Sequence, residues 1–168
     1  MTFYYLTYRN LHHFPSAGTV KSVKYNGKGT RLLCSEDNWV VIHDIPIDGQ
    51  QPSDAGKLKL KVATESGSNF TYHVEPKKIP VCFAGKDDEL VAAGVPDGKI
   101  YIWFVPDGRG QRAIYKPLFV IEGHGKRIQS LQFSPQNCAL ASCAIDDGVH
   151  YSFKVWTPFN LPQPVCDD

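Results

Sequence analysis

The chain has 168 residues, with 18 basic and 17 acidic side chains, and its net charge of +1 supplies no field to draw it to nucleic acid or an anionic membrane. At 42% hydrophobic and 12% aromatic residues it has the apolar surface to bury a core, which excludes a disordered chain. The 14 glycines and 12 prolines favour many short elements joined by tight turns, and so an all-β fold.

In chain order, residues 2–8 (TFYYLTY) form the first strand candidate. Runs of β-branched and aromatic residues then predict strands at 20–25, 31–34 and 40–44, separated by turn signals at 26–29 and 36–38. A polar stretch at 47–56 precedes 57–62 (KLKLKV), whose strict alternation predicts a strand with one buried and one wet face. Strands follow at 79–83, 90–94 and 99–103, broken by turns at 84–89 and at Pro96-Asp97-Gly98. After a polar insertion at 106–112, strands are predicted at 116–121, 128–133, 139–144 and 153–156, with turns at 134–137 and 146–148. The order strand, turn, strand, turn, strand thus occurs three times. Aligning the third strands superposes His43, Trp103 and Trp156, at separations of 60 and 53 residues.

Cys34, Cys82 and Cys143 lie in apolar runs, and none of the five cysteines, Cys138 and Cys166 included, forms a CxxC pair, so the first three read as small core residues in a reducing compartment. With no secretory pattern and no window of about 18 apolar residues, the chain is expected to be soluble and intracellular, cytoplasmic or nuclear, with no membrane partner. No catalytic residue, cofactor or metal site is expected. The stretch 122–127 lacks the spacing of a phosphate loop, no GxSxG or HExxH motif is present, and doublets such as His12-His13, Asp87-Asp88 and Asp146-Asp147 place neighbouring side chains on opposite faces or in solvated turns.

Gly123-His124, Ile128, Leu131, Phe133, Ser134-Pro135, Leu140-Ala141-Ser142, Asp146 and Val155-Trp156 stand in the order and nearly the spacing of a WD40 repeat, and the resemblance covers most of residues 16–156. It implies an all-β chain: a partial WD40 β-propeller of about three four-stranded antiparallel blades, a fragment of a larger ring. The separations of 60 and 53 residues exceed the roughly 40–45 of such repeats, and the insertions at 47–62 and 106–112 absorb the excess. On this division, residues 1–15 are the outer strand of a preceding blade and a lead-in. Residues 16–63 form repeat 1, 70–121 repeat 2 and 122–159 repeat 3, with a tail at 160–168.

The family ties each blade together through a buried network of His, Ser/Thr, Asp and Trp. Carried over, this implies His124, Ser142, Asp146 and a buried Trp156 in repeat 3, and Asp97 and Trp103 in repeat 2, where Ala93 has no hydroxyl and His73 stands too far from 79. In repeat 1, Ser16 takes the histidine position and His43 the tryptophan position. In that family, the turn entering a repeat and the turn between its second and third strands lie on the face that receives partners, which makes Pro96, Asp97, Lys126, Arg127, Asp147 and His150 the candidate protein-binding residues.

Residues 81–90 (VCFAGKDDEL) and 155–159 (VWTPF) are similar to the WD40 substrate receptors of cullin-4 ubiquitin ligases, the DDB1- and CUL4-associated factors. That resemblance implies a non-enzymatic scaffold with the adaptor DDB1 and a ubiquitination substrate as partners. The WDxR arginine of such receptors is absent from the stretches that follow His43, Trp103 and Trp156. The alternative is a nucleic-acid- or chromatin-associated WD40 reader, against which the near-zero net charge counts.

Overall fold

The computed structural model describes residues 19–36, 39–45, 57–61, 79–105, 112–114, 116–145 and 150–157. Those residues form strands and turns with no helix. In chain order the strands are β1 (Val20–Tyr25), β2 (Arg31–Glu36), β3 (Trp39–Asp44), β4 (Lys57–Lys61), β5 (Val81–Ala84), β6 (Leu90–Gly94), β7 (Lys99–Phe104), β8 (Arg112–Ile114), β9 (Phe119–Glu122), β10 (Ile128–Ser134), β11 (Ala139–Ile145) and β12 (Tyr151–Trp156). They make three sheets, ordered β1-β2-β3-β4-β8, β5-β6-β7-β9 and β10-β11-β12. Every neighbouring pair is antiparallel except β4 and β8, which run parallel.

Strand alternation builds the stack. Successive side chains point to opposite faces, so the second sheet feeds two cores at once. Val81, Phe83, Val91, Ala93, Tyr101 and Trp103 pack with Leu33, Val40, Ile42 and Leu60 of the first sheet. Cys82, Ala92 and Ile100 pack with Ile128, Leu131, Leu140 and Ala144 of the third, with Ile102, Phe133 and Trp156 alongside. The sheets share one register: Leu32 faces His43, Val91 faces Trp103 and Leu140 faces Trp156. The three third-strand residues that align in sequence therefore occupy the same place in each sheet.

Three sheets of short strands meet the all-β expectation, but the strand counts differ from three sheets of four. The first sheet gains β8, three residues at the end of what the sequence presents as an insertion loop, which extend the edge of β4. The third sheet has three strands among the described residues. That leaves Trp156 partly exposed on an edge strand, where the sequence predicts a buried indole, whereas Trp103 is fully buried between two sheets. Cys143 is likewise half-buried rather than a core residue, because it lies on the face of the third sheet turned away from the second. Tyr151, Phe153 and Val155 are exposed on β12 of the same sheet. The strand predicted at 116–121 begins only at Phe119, since Pro117 carries no N–H for a ladder. The strand and lead-in predicted at 1–15, Ser16, His73, the stretch at 47–56 and the tail lie outside the described residues.

Trp103→Ala should lower stability by about 3–5 kcal/mol, as expected for emptying a fully buried indole site. Phe153→Ala, at a side chain 84% exposed, should stay within about 0.5 kcal/mol of the parent. Urea denaturation followed by tryptophan fluorescence compares the two, and equal effects would contradict the two-core packing.

Candidate partner-binding face

Pro96-Asp97-Gly98 closes the β6–β7 hairpin. The N–H of Val95 donates to Lys99 O at 3.0 Å, that of Gly98 donates to Val95 O at 3.2 Å, and Gly98 adopts φ +88°. Proline and aspartate ahead of a left-handed glycine are the residues such a three-residue loop requires. Asp97 steadies it: its Oδ1 accepts the Lys99 N–H at 3.2 Å and its Oδ2 lies 3.6 Å from Lys99 Nζ. Glycine is needed at 98 for a second reason. A Cβ there would lie 2.1 Å from His124 O and 2.8 Å from Lys126 O, so this turn presses directly on the segment entering the third sheet. The N–H of Ile128 also reaches Val95 O, at 3.4 Å.

This contact brings Pro96 and Asp97 together with Lys126 and Arg127. Asp97 and Lys126 are exposed, while Pro96 and Arg127 are half-buried. Lys126 has no ion pair among the described residues. His150 is exposed just ahead of β12, and the pairs Ile128–Ala144 and Ala144–Ser152 put it at the same end of the stack. Asp146 and Asp147 lie outside the described residues. Also among the described residues, no group of three or more His, Cys, Asp or Glu side chains is arranged to hold a metal ion.

Behind this end, three residues that the sequence assigns to one network are in contact. Trp156 Nε1 donates to Ser142 Oγ at 2.7 Å, and His124 Nε2 lies 2.7 Å from the same oxygen. Ser152 Oγ stands 3.3 Å from His124 Nδ1. We assign the His124 proton to Nδ1: the Ser142 hydroxyl then accepts from Trp156 and donates to Nε2, and each proton is used once. The His124 and Trp156 rings meet edge to face, with centroids 6.1 Å apart. Ser152 is absent from the sequence-derived set; it lies on β12 paired with Ala144, and that pairing brings its hydroxyl to the imidazole.

Among the described residues, the second sheet holds no such network. Ala93 pairs with Tyr101 where Ser142 pairs with Lys154, so the hydroxyl position carries a methyl group. Trp103 Nε1 is buried with no hydrogen-bond partner among the described residues, and Asp97 binds Lys99 instead. Tyr101 stacks on the indole, with centroids 5.8 Å apart. In the first sheet, Cys34 stands in the Ser142 register and the buried His43 lies 4.0 Å from the buried Glu36.

Residues 115–151, which span β9 to β11 and the entering turn, match the family described as WD domain, G-beta repeat. DDB1- and CUL4-associated factor 5 of Homo sapiens is 26% identical over 156 residues, covering 90% of this chain and 14% of that protein. Striatin-4 of Mus musculus is 32% identical over 130 residues, covering 68% of this chain and 17% of that protein. The chain therefore spans less than a fifth of the length of either relative. In fold it is similar to the β-propeller domain of Cps50 (Swd1) from Myceliophteria thermophila, with a TM-score of 0.59 at 18% identity over 86% of this chain and 42% of that one.

Ser142→Ala should cost about 1–3 kcal/mol, because the Trp156 N–H and the His124 ring nitrogen lose one shared partner. Ala93→Ser is the converse experiment: a hydroxyl within reach of Trp103 Nε1 should raise stability by about 1 kcal/mol. Thermal melting of both variants checks the pair, and a neutral Ser142→Ala would contradict the network.

Proposed function

We propose that this chain, a member of the WD40-repeat family with its matched repeat at residues 115–151, is a non-enzymatic scaffold that holds a protein partner against the 95–98 and 124–127 turns. One observation carries the reading: the close packing of Gly98 on His124 and Lys126 fixes two turns from different sheets into one surface, with Asp97 and Lys126 exposed on it. Binding residues on loops held by a rigid framework lose little conformational freedom when they dock. In the finer reading, the chain is the substrate-receptor part of a cullin-4 ubiquitin ligase, with the adaptor DDB1 and a ubiquitination substrate as partners, in the cytoplasm or nucleus. The 26% identity to DDB1- and CUL4-associated factor 5 across 90% of the chain supports it. Because the stretches after His43, Trp103 and Trp156 lack the WDxR arginine, adaptor contact in this reading falls to the turn residues.

The test uses the full chain on beads against purified DDB1 and against a cell extract. Wild type should retain DDB1, and Lys126→Glu/Arg127→Glu should weaken retention about tenfold, as reversing charges in a contact surface does. Retention of other proteins without DDB1 would remove the ligase reading and leave the scaffold. A bound fraction consisting of nucleic acid and lost steeply with salt would replace the scaffold with a nucleic-acid reader.

A further inference from the structure

The opposite end of the stack carries a groove of about 210 Å³, which the turn-face reading does not involve. The first strands of all three sheets line it: Lys24 and Tyr25 of β1, Cys82 and Phe83 of β5, Leu131 and Phe133 of β10. Cys82, Phe83 and Leu131 are buried and form an apolar floor, while Tyr25, 69% exposed, stands on the rim. The volume lies below the roughly 300–1,000 Å³ of small-molecule sites, so the groove suits one or two side chains of a peptide rather than a nucleotide or cofactor.

Its lining carries one ammonium, Lys24, and one carboxylate, Asp88. Each acidic residue of the 85–89 turn already has a partner: Asp87 lies 3.7 Å from Lys28 Nζ, Asp88 Oδ2 accepts the Gly27 N–H at 2.9 Å, and Glu89 Oε2 accepts the Asp87 N–H at 2.9 Å. The Gly27–Asp88 bond also ties the first sheet to the second, so the wall is set before any ligand arrives. Lys24 is exposed and has no ion pair among the described residues. Lys24 lines the groove together with Cys82; burial pushes the Cys82 thiol up to about 12, and the Lys24 charge is the larger of the two effects that pull it down. Cys82 therefore remains a neutral thiol near pH 7 and offers apolar surface rather than a nucleophile.

From this placement of Lys24, which has no ion pair among the described residues, beside an apolar floor where the second and third sheets meet, we infer that the groove is a second docking site. It takes a peptide segment of a protein partner in which an aliphatic or aromatic side chain is followed closely by a carboxylate. The side chain covers Leu131 and Phe133 while the carboxylate meets Lys24. This site stands independently of the turn face, which lies at the other end of the sheets.

Fluorescence anisotropy of the full chain with two fluorescein-labelled peptides, one alternating leucine with glutamate and one alternating leucine with lysine, tests it. Wild type should bind the glutamate peptide in preference. Lys24→Glu should weaken that binding by about tenfold or more and favour the lysine peptide. Lys24→Gln, which introduces no opposite charge, should give an intermediate loss with an unchanged circular dichroism spectrum, and Lys126→Glu/Arg127→Glu should leave the affinity unaltered. Failure of wild type to bind the glutamate peptide, equal binding by wild type and Lys24→Glu, or a loss confined to the 126/127 variant would each overturn the inference.

Discussion

The strands β5 and β6 of the middle sheet have no wet face, and the rest of the structure is arranged around that constraint. Val81, Val91, Ala93, Tyr101 and Trp103 belong to one core and Cys82, Ala92 and Ile100 to the other, so a one-residue slip of β5, β6 or β7 would exchange the two sets and spoil both interfaces together. Close approach follows from the same demand. A Cβ at Gly94 would lie 2.5 Å from Ile128 Cγ2, so the end of β6 requires a residue without a side chain where the third sheet arrives. Because both interfaces are fixed, the turns at each end of the stack are fixed with them. Neither the 95–98 contact with 124–126 nor the Gly27–Asp88 bond needs further ordering before a ligand docks.

The sheets balance polar and apolar stabilisation differently. In the middle sheet, two-sided packing holds Trp103 despite an indole N–H without a partner among the described residues, a penalty of about 1–3 kcal/mol that the buried indole offsets. In the third sheet, packing is one-sided: Tyr151, Phe153 and Val155 are exposed. There Trp156 and His124 share Ser142, and Ser152 meets the imidazole, so directional bonds supply order that burial does not. The polar network and the most deeply buried tryptophan thus occur in different sheets, as expected if each compensates for what its own sheet lacks.

Much of this was legible in the sequence because strand alternation and turn chemistry are local signals. Pro96-Asp97-Gly98 and Asn26-Gly27 mark their turns, and β1 and β6 occupy the ranges that the sequence indicates, 20–25 and 90–94. What escaped is non-local. The strand β8 is three residues long, too short to show a period, and pairs in parallel with a strand far upstream, for which no local pattern exists. The sequence places Trp156 in register but does not reveal whether another strand covers it. Of the candidate site, the turn at 96–98 could be read from its residues. Its pressure on His124 and Lys126 could not, because that contact joins two sheets. The groove was hidden for the same reason: Lys24, Cys82 and Leu131 are neighbours only through three separate strands.

A chain of net charge +1 can still discriminate among charged partners, since selectivity depends on where charge stands rather than on its sum. Asp97 is held by Lys99, Asp87 by Lys28, and Asp88 by a backbone amide, so much of the acidic complement near the two ends is already engaged within the protein. Lys126 at one end and Lys24 at the other are exposed without an ion pair among the described residues, as are Lys86 and Lys116. A scaffold of this form would recognise acidic features at both ends while remaining nearly neutral overall. That combination favours short-range docking, since it lacks the long-range attraction by which a strongly basic protein collects nucleic acid.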